Sequence, residues 1–293
     1  MVLIKTYFII DNAESFLQNA KSGVIPTYLL YGGYHALEEE KAEIIDFKKS
    51  GHIKNEQVVI INPQHAIGLK ARHNRVILIN INSNHIVARS SFWLKKWIIK
   101  KIYASIDIIV CLDKSQIKPL RDFGVKSKLV LNPLLIDTEL IELALTRYKY
   151  SFGPHNPYYL SAGYDAGRNF GAFNDIDSRV PIVTIGRHNI MPYITYCRYL
   201  AGCSGMVLNI QNGPASSDIS GNTVVLESLC AQKPVFINEQ HWLKNVPTKN
   251  IHIYKDLKEL ETLLNNNIQW IPEKEKFTFD IYYQKLKKVL RVK

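Results

Sequence analysis

SGNTVVLESLCAQKPVFI, residues 220–237, reads as a helical run that leads into a short β-type run. The Ser-Gly-Asn-Thr opening is typical of a turn at a helix N-terminus, and Lys-Pro separates the helix from the strand. Glu227 stands out, because a carboxylate is rarely buried among apolar residues such as Val225 and Leu229 unless it is paired. The stretch therefore raises two questions: which fold repeats this order of helix and strand, and what Glu227 binds.

The first half of the chain alternates short apolar runs with helical segments. The β-type runs are residues 5–10, 26–32, 56–63, 75–82, 107–113 and 128–133. The helix-like segments are residues 12–21, 36–49, 90–105 and 114–124. Gly23, Gly51 and Gly124 follow helical runs at positions that suit a helix-ending glycine. This alternation predicts a parallel sheet with helices on both faces.

Residues 136–157 read as a loose connection, after which the pattern starts again. New strands are predicted at residues 157–163, 181–186, 204–210, 233–238 and 250–256. New helices are predicted at residues 169–176, 191–202, 221–231 and 257–266. The last segment, residues 277–292, is a basic amphipathic helix that either closes back across the domain junction or lies on the surface.

The expected fold class is α/β, with two Rossmann-like domains that face each other across a cleft. The chain has 293 residues, which is more than a single core usually supports. We expect an N-terminal domain over residues 1–135, a C-terminal domain over 136–272 and a C-terminal helix over 273–293. Ligands of open α/β sheets bind beyond the carboxyl ends of the strands, so the cleft is the expected site.

The formal net charge of +11 indicates that the protein binds either a polyanion or a phosphorylated molecule. The candidates are nucleic acid, an anionic membrane surface and phosphorylated small molecules. No nucleic-acid motif is present, and the aromatic residues are not interleaved with basic ones, so nucleic acid is not expected.

Several features favour a cytoplasmic globular protein. Hydrophobic residues make up 46% of the chain and charged residues 22%. No apolar run approaches the roughly 18 to 20 residues of a membrane span, and the N-terminus lacks the features of a signal peptide. The cysteines, Cys111, Cys197, Cys203 and Cys230, have no metal-type spacing, which favours free thiols in a reducing compartment.

The opening stretch suits a phosphate next to a sugar hydroxyl pair. A glycine-containing turn at a helix N-terminus offers backbone N–H groups and the positive end of the helix dipole. Thr223 and Glu227 are four residues apart and share a helix face, so Glu227 could accept hydrogen bonds from a ribose diol. The alternative is that Ser220 or Asn222 is an ordinary N-cap and Glu227 lies in solvent.

Three stretches together resemble GT-B glycosyltransferases of the group 1 (family 4) type. Residues 104–137 are similar to the end of that family's acceptor domain, with a strand ending in Asn132-Pro133. Residues 157–173 resemble the first strand of its donor domain, with the glycine and the basic residue that follow. Residues 220–237 resemble the family segment that contains its ribose-binding glutamate.

The resemblance implies a role for each matching residue in binding a nucleotide sugar. Glu227 would hold the donor ribose, and the preceding turn would cradle the diphosphate. The turn residues are Ser220, Gly221, Asn222 and Thr223. Gly163 and Arg168 match the glycine and the basic residue after the first donor strand, and Arg168 would neutralise the leaving nucleoside diphosphate. Arg187 falls where the family contacts the base; the alternative for both arginines is an ordinary loop position.

The sequence departs from the family pattern at three positions. The paired acid expected eight residues before Glu227 falls on Ile219, and Asp218 is one residue away. The Arg-plus-Lys pair of the family is reduced to Arg168, with Asn169 next to it, and Gln232 replaces a glycine. These departures keep a catalytically inactive binding protein among the alternatives.

Two further features of the first half follow predicted strands. His85 comes after the strand at 75–82 and faces the predicted cleft, where it could act as a base or orient the acceptor. A lone histidine in a loop is more often structural or solvated. The Gly32-Gly33 pair is read as a simple turn, although such a loop would also suit an acceptor site.

Two other motifs have competing interpretations. Asp175-Ile176-Asp177 has the form of a metal-binding DxD, but it stands between a helix and a strand, and we interpret it as a turn. Residues 90–105 combine Trp93 and Trp97 with four lysines, a composition that suits a helix lying on an anionic membrane. The alternative is a core-packed helix whose lysines point into water.

The predicted function is transfer of a sugar from a UDP- or GDP-linked donor to a glycan or lipid-linked acceptor. The resemblance implies retention of the anomeric configuration and a reaction that needs no metal and no cofactor. The expected location is the cytoplasm, with the inner face of the membrane as a candidate surface. The alternatives are a sugar-nucleotide epimerase and an inactive GT-B-like binding protein.

Overall fold

The computed structural model describes residues 4–22, 41–80, 92–131, 138–148, 157–163, 168–186, 191–211, 222–240, 242–246, 248–273 and 288–291. These residues form two compact units. The first unit includes the described residues up to 21 and from 41 to 131, together with a helical turn at 288–291. The second unit includes the described residues from 138 to 273.

The first unit is built on a six-stranded parallel sheet with the order β2-β1-β3-β4-β5-β6. Its strands are β1 (Thr6–Ile10), β2 (Glu43–Asp46), β3 (Gln57–Ile60), β4 (Arg75–Asn80), β5 (Ile108–Cys111) and β6 (Lys128–Leu131). Every residue of β3 and of β5 is buried, as expected for strands covered on both faces. Because β2 and β3 lie on opposite sides of β1, the strand order reverses between β1 and β3.

Helices cover this sheet. They are α1 (Ala13–Ser22), α2 (Ala66–Lys70), α3 (Trp93–Ala104) and α4 (Ile117–Asp122). Short 3-10 helices span Phe47–His52, Pro63–His65 and Lys114–Gln116. The turn at 288–291 belongs to the same unit although it follows the second unit in sequence, and its Val289 and Leu290 are buried.

The second unit has a five-stranded parallel sheet with the order β11-β10-β9-β7-β8. Its strands are β7 (Tyr159–Ala162), β8 (Ile182–Ile185), β9 (Gly205–Leu208), β10 (Val235–Asn238) and β11 (Ile251–Tyr254). Its helices are α5 (Thr138–Tyr148), α6 (Tyr193–Gly202), α7 (Asn222–Cys230) and α8 (Leu257–Asn265), with 3-10 helices at Phe170–Asp175 and Leu243–Asn245. Here the strand order reverses between β7 and β9.

The predicted alternation is confirmed for most elements; the strand predicted at residues 26–32 lies outside the described part of the chain, and two other predictions are corrected. Residues 36–49 were expected to form one helix, but 43–46 form the edge strand β2, because pairing with β1 buries Ile45. Residues 136–157 were expected to form a loose connection, but 138–148 form α5, whose Ile141 and Ala144 are buried where it packs on α6. Within the described part of the chain, no helix is both long and apolar enough to span a membrane.

Two helix ends use the same backbone motif with different residues. After α4, Gly124 has φ +90°, its N–H donates to Arg121 O, and Val125 N–H donates to Leu120 O. This is the Schellman arrangement that the sequence predicted for Gly124. Gly51, by contrast, lies inside a 3-10 helix, so its predicted helix-ending role is wrong.

After α7, the equivalent left-handed position is occupied by Gln232. Its φ is +56°, its N–H donates to Leu229 O, and Lys233 N–H donates to Ser228 O. A residue with a Cβ is strained in this conformation by about 1 to 2 kcal/mol, a strain that glycine avoids. A glycine at this position, as in the family pattern, would therefore adopt the left-handed conformation without this strain.

We expect Gln232→Gly to stabilise the protein by about 1 kcal/mol, because it removes this strain at an exposed helix end. The free energy of unfolding, measured by urea titration, checks the expectation. Gly124→Ala is the reciprocal control at the same motif position and should destabilise by a similar amount. A lower stability for Gln232→Gly than for the wild type would contradict the assignment.

Candidate functional site

Glu227 is buried in the second unit with only 3% of its surface exposed. Its Oε1 accepts a hydrogen bond from Tyr193 Oη at 3.0 Å, and its Oε2 accepts one from Tyr196 Oη at 2.7 Å. Both tyrosines lie on α6, three residues apart, and their ring centroids are 5.4 Å apart. The alternative of a solvated helix residue is therefore wrong, and the carboxylate is held between α6 and α7.

The environment of this carboxylate keeps one of its donors, Tyr196, protonated. Burial, followed by the nearby Glu227 charge and its hydrogen bond, raises the pKa of Tyr196 well above the ordinary value. The two tyrosines fix the orientation of the Glu227 carboxylate between α6 and α7.

Gly163 and Arg168 lie together at the carboxyl end of β7. Gly163 has φ +152°, and its N–H donates to Ile185 O at the end of β8. A Cβ at position 163 would be 2.5 Å from Arg168 Nε and 3.0 Å from its Cζ. The guanidinium of Arg168 thus lies directly over the glycine, an approach that no other residue at 163 would permit.

Arg168 also connects the loops that follow β7 and β9. Its backbone forms an antiparallel bridge with Ile210. Asn238, at the end of β10, holds Ile210 in place, because its side-chain amide accepts from Ile210 N at 2.8 Å and donates to Ile210 O at 2.7 Å. Arg168 therefore stands where the strand order reverses, the usual ligand position in such sheets.

A second glycine allows a close approach at the end of β8. A Cβ at Gly186 would be 2.7 Å from Phe170 Cε2. Phe170 begins a 3-10 helix that Asn169 caps by accepting from Ala172 N at 3.3 Å. Asn169, the neighbour of Arg168, therefore has a structural role. The segment Asp175-Ile176-Asp177 ends this helix and leads towards β8, which confirms its interpretation as a turn.

Several of the other predicted site residues lie outside the described part of the chain. They are Ser220, Gly221, Arg187, His85 and the Gly32-Gly33 pair. The described helix α7 begins at Asn222, so Asn222 and Thr223, which were predicted to belong to the phosphate turn, instead form the first turn of the helix, where Thr223 is half-buried. Their predicted roles stay predictions, as does the role of Glu227 in binding ribose.

The first unit has a polar cluster that the sequence analysis missed, at the carboxyl ends of β1 and β3. Asp11 Oδ1 is 3.0 Å from His65 Nε2, and its Oδ2 accepts from Asn62 Nδ2 at 3.1 Å. Asp46, which ends β2, accepts from Asn12 N at 3.0 Å. The signal that could have revealed the cluster is a polar residue at the carboxyl end of two predicted strands, Asp11 after the first and Asn62 at the end of the strand at 56–63.

His65 lies near a strand end, where a catalytic base would be expected, but its ring is buried and packed like that of a structural residue. Its ring stacks on Phe47 with centroids 3.8 Å apart, and its side chain is only 7% exposed. Burial lowers the pKa of His65, and the Asp11 charge opposes this shift only in part. Its Nδ1 atom is enclosed by protein as well, so the pair joins two loops and does not present a nitrogen to a ligand.

The lowered pKa of His65 predicts how stability changes with pH. The unfolded chain binds this proton more readily, so the contribution is fully present above the ordinary histidine pKa of about 6.5. It is lost as the pH falls from there through the folded-state pKa. We expect His65→Gln to reduce the fall in unfolding free energy between about pH 7 and pH 5, measured by urea titration.

His73→Gln, a change at an exposed histidine of the same unit, is the matched control and should leave the pH dependence unchanged. Part of the fall in unfolding free energy between pH 7 and pH 5 should persist in His65→Gln, because burial also lowers the pKa of His252. Identical pH profiles for the wild type and His65→Gln would show that His65 makes no such contribution.

No protein-family model matches the sequence, and no curated protein is significantly similar to it. The fold, however, is similar to those of solved structures. Anabaena Alr3699/HepE in complex with UDP-glucose has a TM-score of 0.64 at 8% identity, covering 99% of this chain and 100% of that chain. A UDP-forming trehalose-phosphate synthase from Burkholderia xenovorans has a TM-score of 0.55 at 11% identity, covering 90% of this chain and 75% of that chain.

WaaG, a glycosyltransferase involved in lipopolysaccharide biosynthesis, has a TM-score of 0.51 at 9% identity, covering 96% of this chain and 93% of that chain. At such low identities a structural likeness concerns the fold. The two parallel sheets with their helices, and the likeness over nearly the whole chain, confirm the expected α/β fold class with two Rossmann-like units. The chain has the GT-B fold, built from two Rossmann-like α/β units.

Proposed function

We propose that this chain is a glycosyltransferase that transfers a sugar from a UDP-linked donor to a glycan or lipid-linked acceptor. The observation that carries the proposal is the likeness, over 99% of this chain, to a HepE structure that holds UDP-glucose. A shared fold does not determine a reaction, so the residues at the carboxyl edge of the second sheet must also suit such a donor.

The donor would bind at this edge with each group facing a matching residue. Glu227, oriented by Tyr193 and Tyr196, would accept hydrogen bonds from the ribose hydroxyls. The diphosphate would lie against the backbone N–H groups of residues 220–223 at the N-terminus of α7, whose first turn contains Asn222 and Thr223. Arg187, after β8, is the proposed contact to the uracil base.

Arg168 would stabilise the charge that develops on the departing UDP. Its guanidinium lies over Gly163 at the reversal of strand order, and a fixed cation there requires no rearrangement during the reaction. The proposed reaction therefore needs no metal and no cofactor. Retention of the anomeric configuration follows from the resemblance to family 4, and His85 is the proposed acceptor-orienting residue.

The proposed setting is the cytoplasm. The cysteines Cys111, Cys197, Cys203 and Cys230 are all free thiols, and the first three are buried. Free thiols suit a reducing compartment.

Calorimetric titration with UDP tests the donor site. We expect binding with a Kd on the order of micromolar, and a loss of at least about tenfold (1.4 kcal/mol) in Glu227→Gln, because one acceptor oxygen of the carboxylate is replaced by an NH2 group that can only donate. Glu239→Gln, at an exposed glutamate of the same unit, is the matched control and should bind UDP like the wild type.

Glu227 is buried, so the folding of Glu227→Gln needs to be verified by circular dichroism. Arg168→Gln, at a half-buried arginine, provides a second variant that should also weaken UDP binding. Titration with GDP and ADP identifies the base. Absence of binding for all three nucleotides would contradict the proposed donor site.

A turnover assay separates the proposed function from its alternatives. UDP release from UDP-glucose is measured with and without glycan and polyprenyl-phosphate-sugar acceptors, and NMR follows the anomeric configuration of the product. An acceptor-dependent product formed at the same rate with EDTA supports the proposal. A new nucleotide sugar without any acceptor would indicate an epimerase, and UDP binding without turnover would indicate a binding protein.

A further inference from the structure

The first two turns of α3 carry a continuous apolar surface that the core does not use. We call this surface the aromatic face; it consists of Phe92, Trp93, Leu94, Trp97 and Ile98. Trp93 is 71% exposed and Trp97 is 55% exposed, although both are large apolar side chains. Single exposed apolar residues are common on protein surfaces, but a contiguous patch usually marks an interaction site.

The aromatic face lies opposite the side by which α3 packs. Ile99 and Tyr103, four residues apart, are 4% and 1% exposed and anchor the helix in the core of the first unit. Trp97 precedes Ile99 by two residues, which corresponds to a rotation of about 200° around the helix axis. Trp93 and Trp97, also four apart, therefore form a stripe that points away from the core.

Lysines flank the stripe. Lys96 and Lys100 lie on one side, where each ammonium is 5.9 Å from the ring centroid of Phe123. Lys95 lies on the other side, one residue beyond Leu94. Lys101, one turn after Trp97, places its ammonium 5.5 Å from that ring. The helix contains four lysines and no acidic residue, so all the charges that α3 itself carries around the aromatic face are positive.

We propose that the aromatic face is a docking surface for an anionic lipid membrane. Tryptophan is suited to the interface between acyl chains and headgroups, and flanking lysines can direct their ammonium groups to lipid phosphates. A second copy of the chain fits less well, because two aromatic faces brought together would also bring two sets of lysines together. The helix lies in the plane of the membrane and does not cross it.

The charge and the apolar residues have separate effects that can be measured. Each lysine near an anionic surface strengthens binding, and this part weakens as salt screens the charges. Insertion of the tryptophans does not depend on salt in this way. Binding should therefore require both an anionic lipid and the aromatic face, and neither alone should suffice.

Sedimentation with vesicles tests the docking surface on the full chain without any nucleotide. The vesicles are phosphatidylcholine alone or an equimolar mixture with phosphatidylglycerol. We expect binding to the mixed vesicles, with a blue shift of tryptophan emission. Trp93 and Trp97 are the exposed reporters, whereas Trp242 is completely buried and Trp270 is half-buried in the second unit, so a shift caused by docking of α3 should disappear in Trp93→Ser, Trp97→Ser.

One variant removes the exposed tryptophans of α3, and a second removes the lysine charges. The double variant Trp93→Ser, Trp97→Ser and the quadruple variant at Lys95, Lys96, Lys100 and Lys101 to Gln should each lower the partition coefficient at least about tenfold. The side chains are exposed, so thermal unfolding should stay close to that of the wild type.

Matched controls change exposed residues of the second unit. Ile253→Ser with Ile271→Ser removes two exposed apolar side chains, and Gln at Lys244, Lys249, Lys255 and Lys258 removes the same charge. Both controls should bind vesicles like the wild type.

Binding to mixed vesicles that is lost in both α3 variants and kept in both controls supports the docking surface. Absence of binding to mixed vesicles would overturn it, as would binding that the tryptophan variant leaves unchanged. A dimer in sedimentation velocity that the tryptophan variant dissociates, with no vesicle binding, would assign the aromatic face to self-association and overturn the membrane proposal. None of these measurements depends on the glycosyl-transfer reaction.

Discussion

The buried carboxylate of Glu227 is the constraint on which the candidate site depends. A carboxylate removed from water needs hydrogen-bond donors, and Tyr193 and Tyr196 supply them at 3.0 and 2.7 Å. Because the acceptor lies on α7 and both donors lie on α6, the bonds fix the rotation of one helix against the other. The N-terminus of α7, which follows β9, is oriented by the same contact.

The carboxyl edge of the second sheet is preorganised by two glycines and one amide. The missing Cβ atoms at Gly163 and Gly186 let Arg168 and Phe170 lie directly over strand ends. Asn238 satisfies both backbone groups of Ile210 and so fixes the bridge to Arg168. The cation is thus held by backbone geometry and packing, which is the condition under which a charge stabilises a transition state without reorganisation.

Helix α3 shows that one element can have separate structural and surface roles. Ile99 and Tyr103 suffice to dock it in the core, so Trp93 and Trp97 contribute little to folding. The lysines make the outer surface compatible with water and complementary to an anionic partner. Part of the net charge of +11 is concentrated on this helix, because α3 contains four lysines and no acidic residue.

Local pattern alone predicted most strands, the α/β class and the position of Glu227 on a helix, because β-branched runs such as Val58–Ile60 are buried on both faces of a parallel sheet. It failed at β2, where pairing with β1 outweighed the helix-forming residues that precede it. It also could not identify the partners of Glu227, since Tyr193 and Tyr196 are 34 and 31 residues away in the chain. The pairing of Asp11 with His65 was hidden for the same reason. Sequence periodicity reports which residues avoid water, whereas contacts between polar groups far apart in the chain exist only once the sheet has brought its strand ends together.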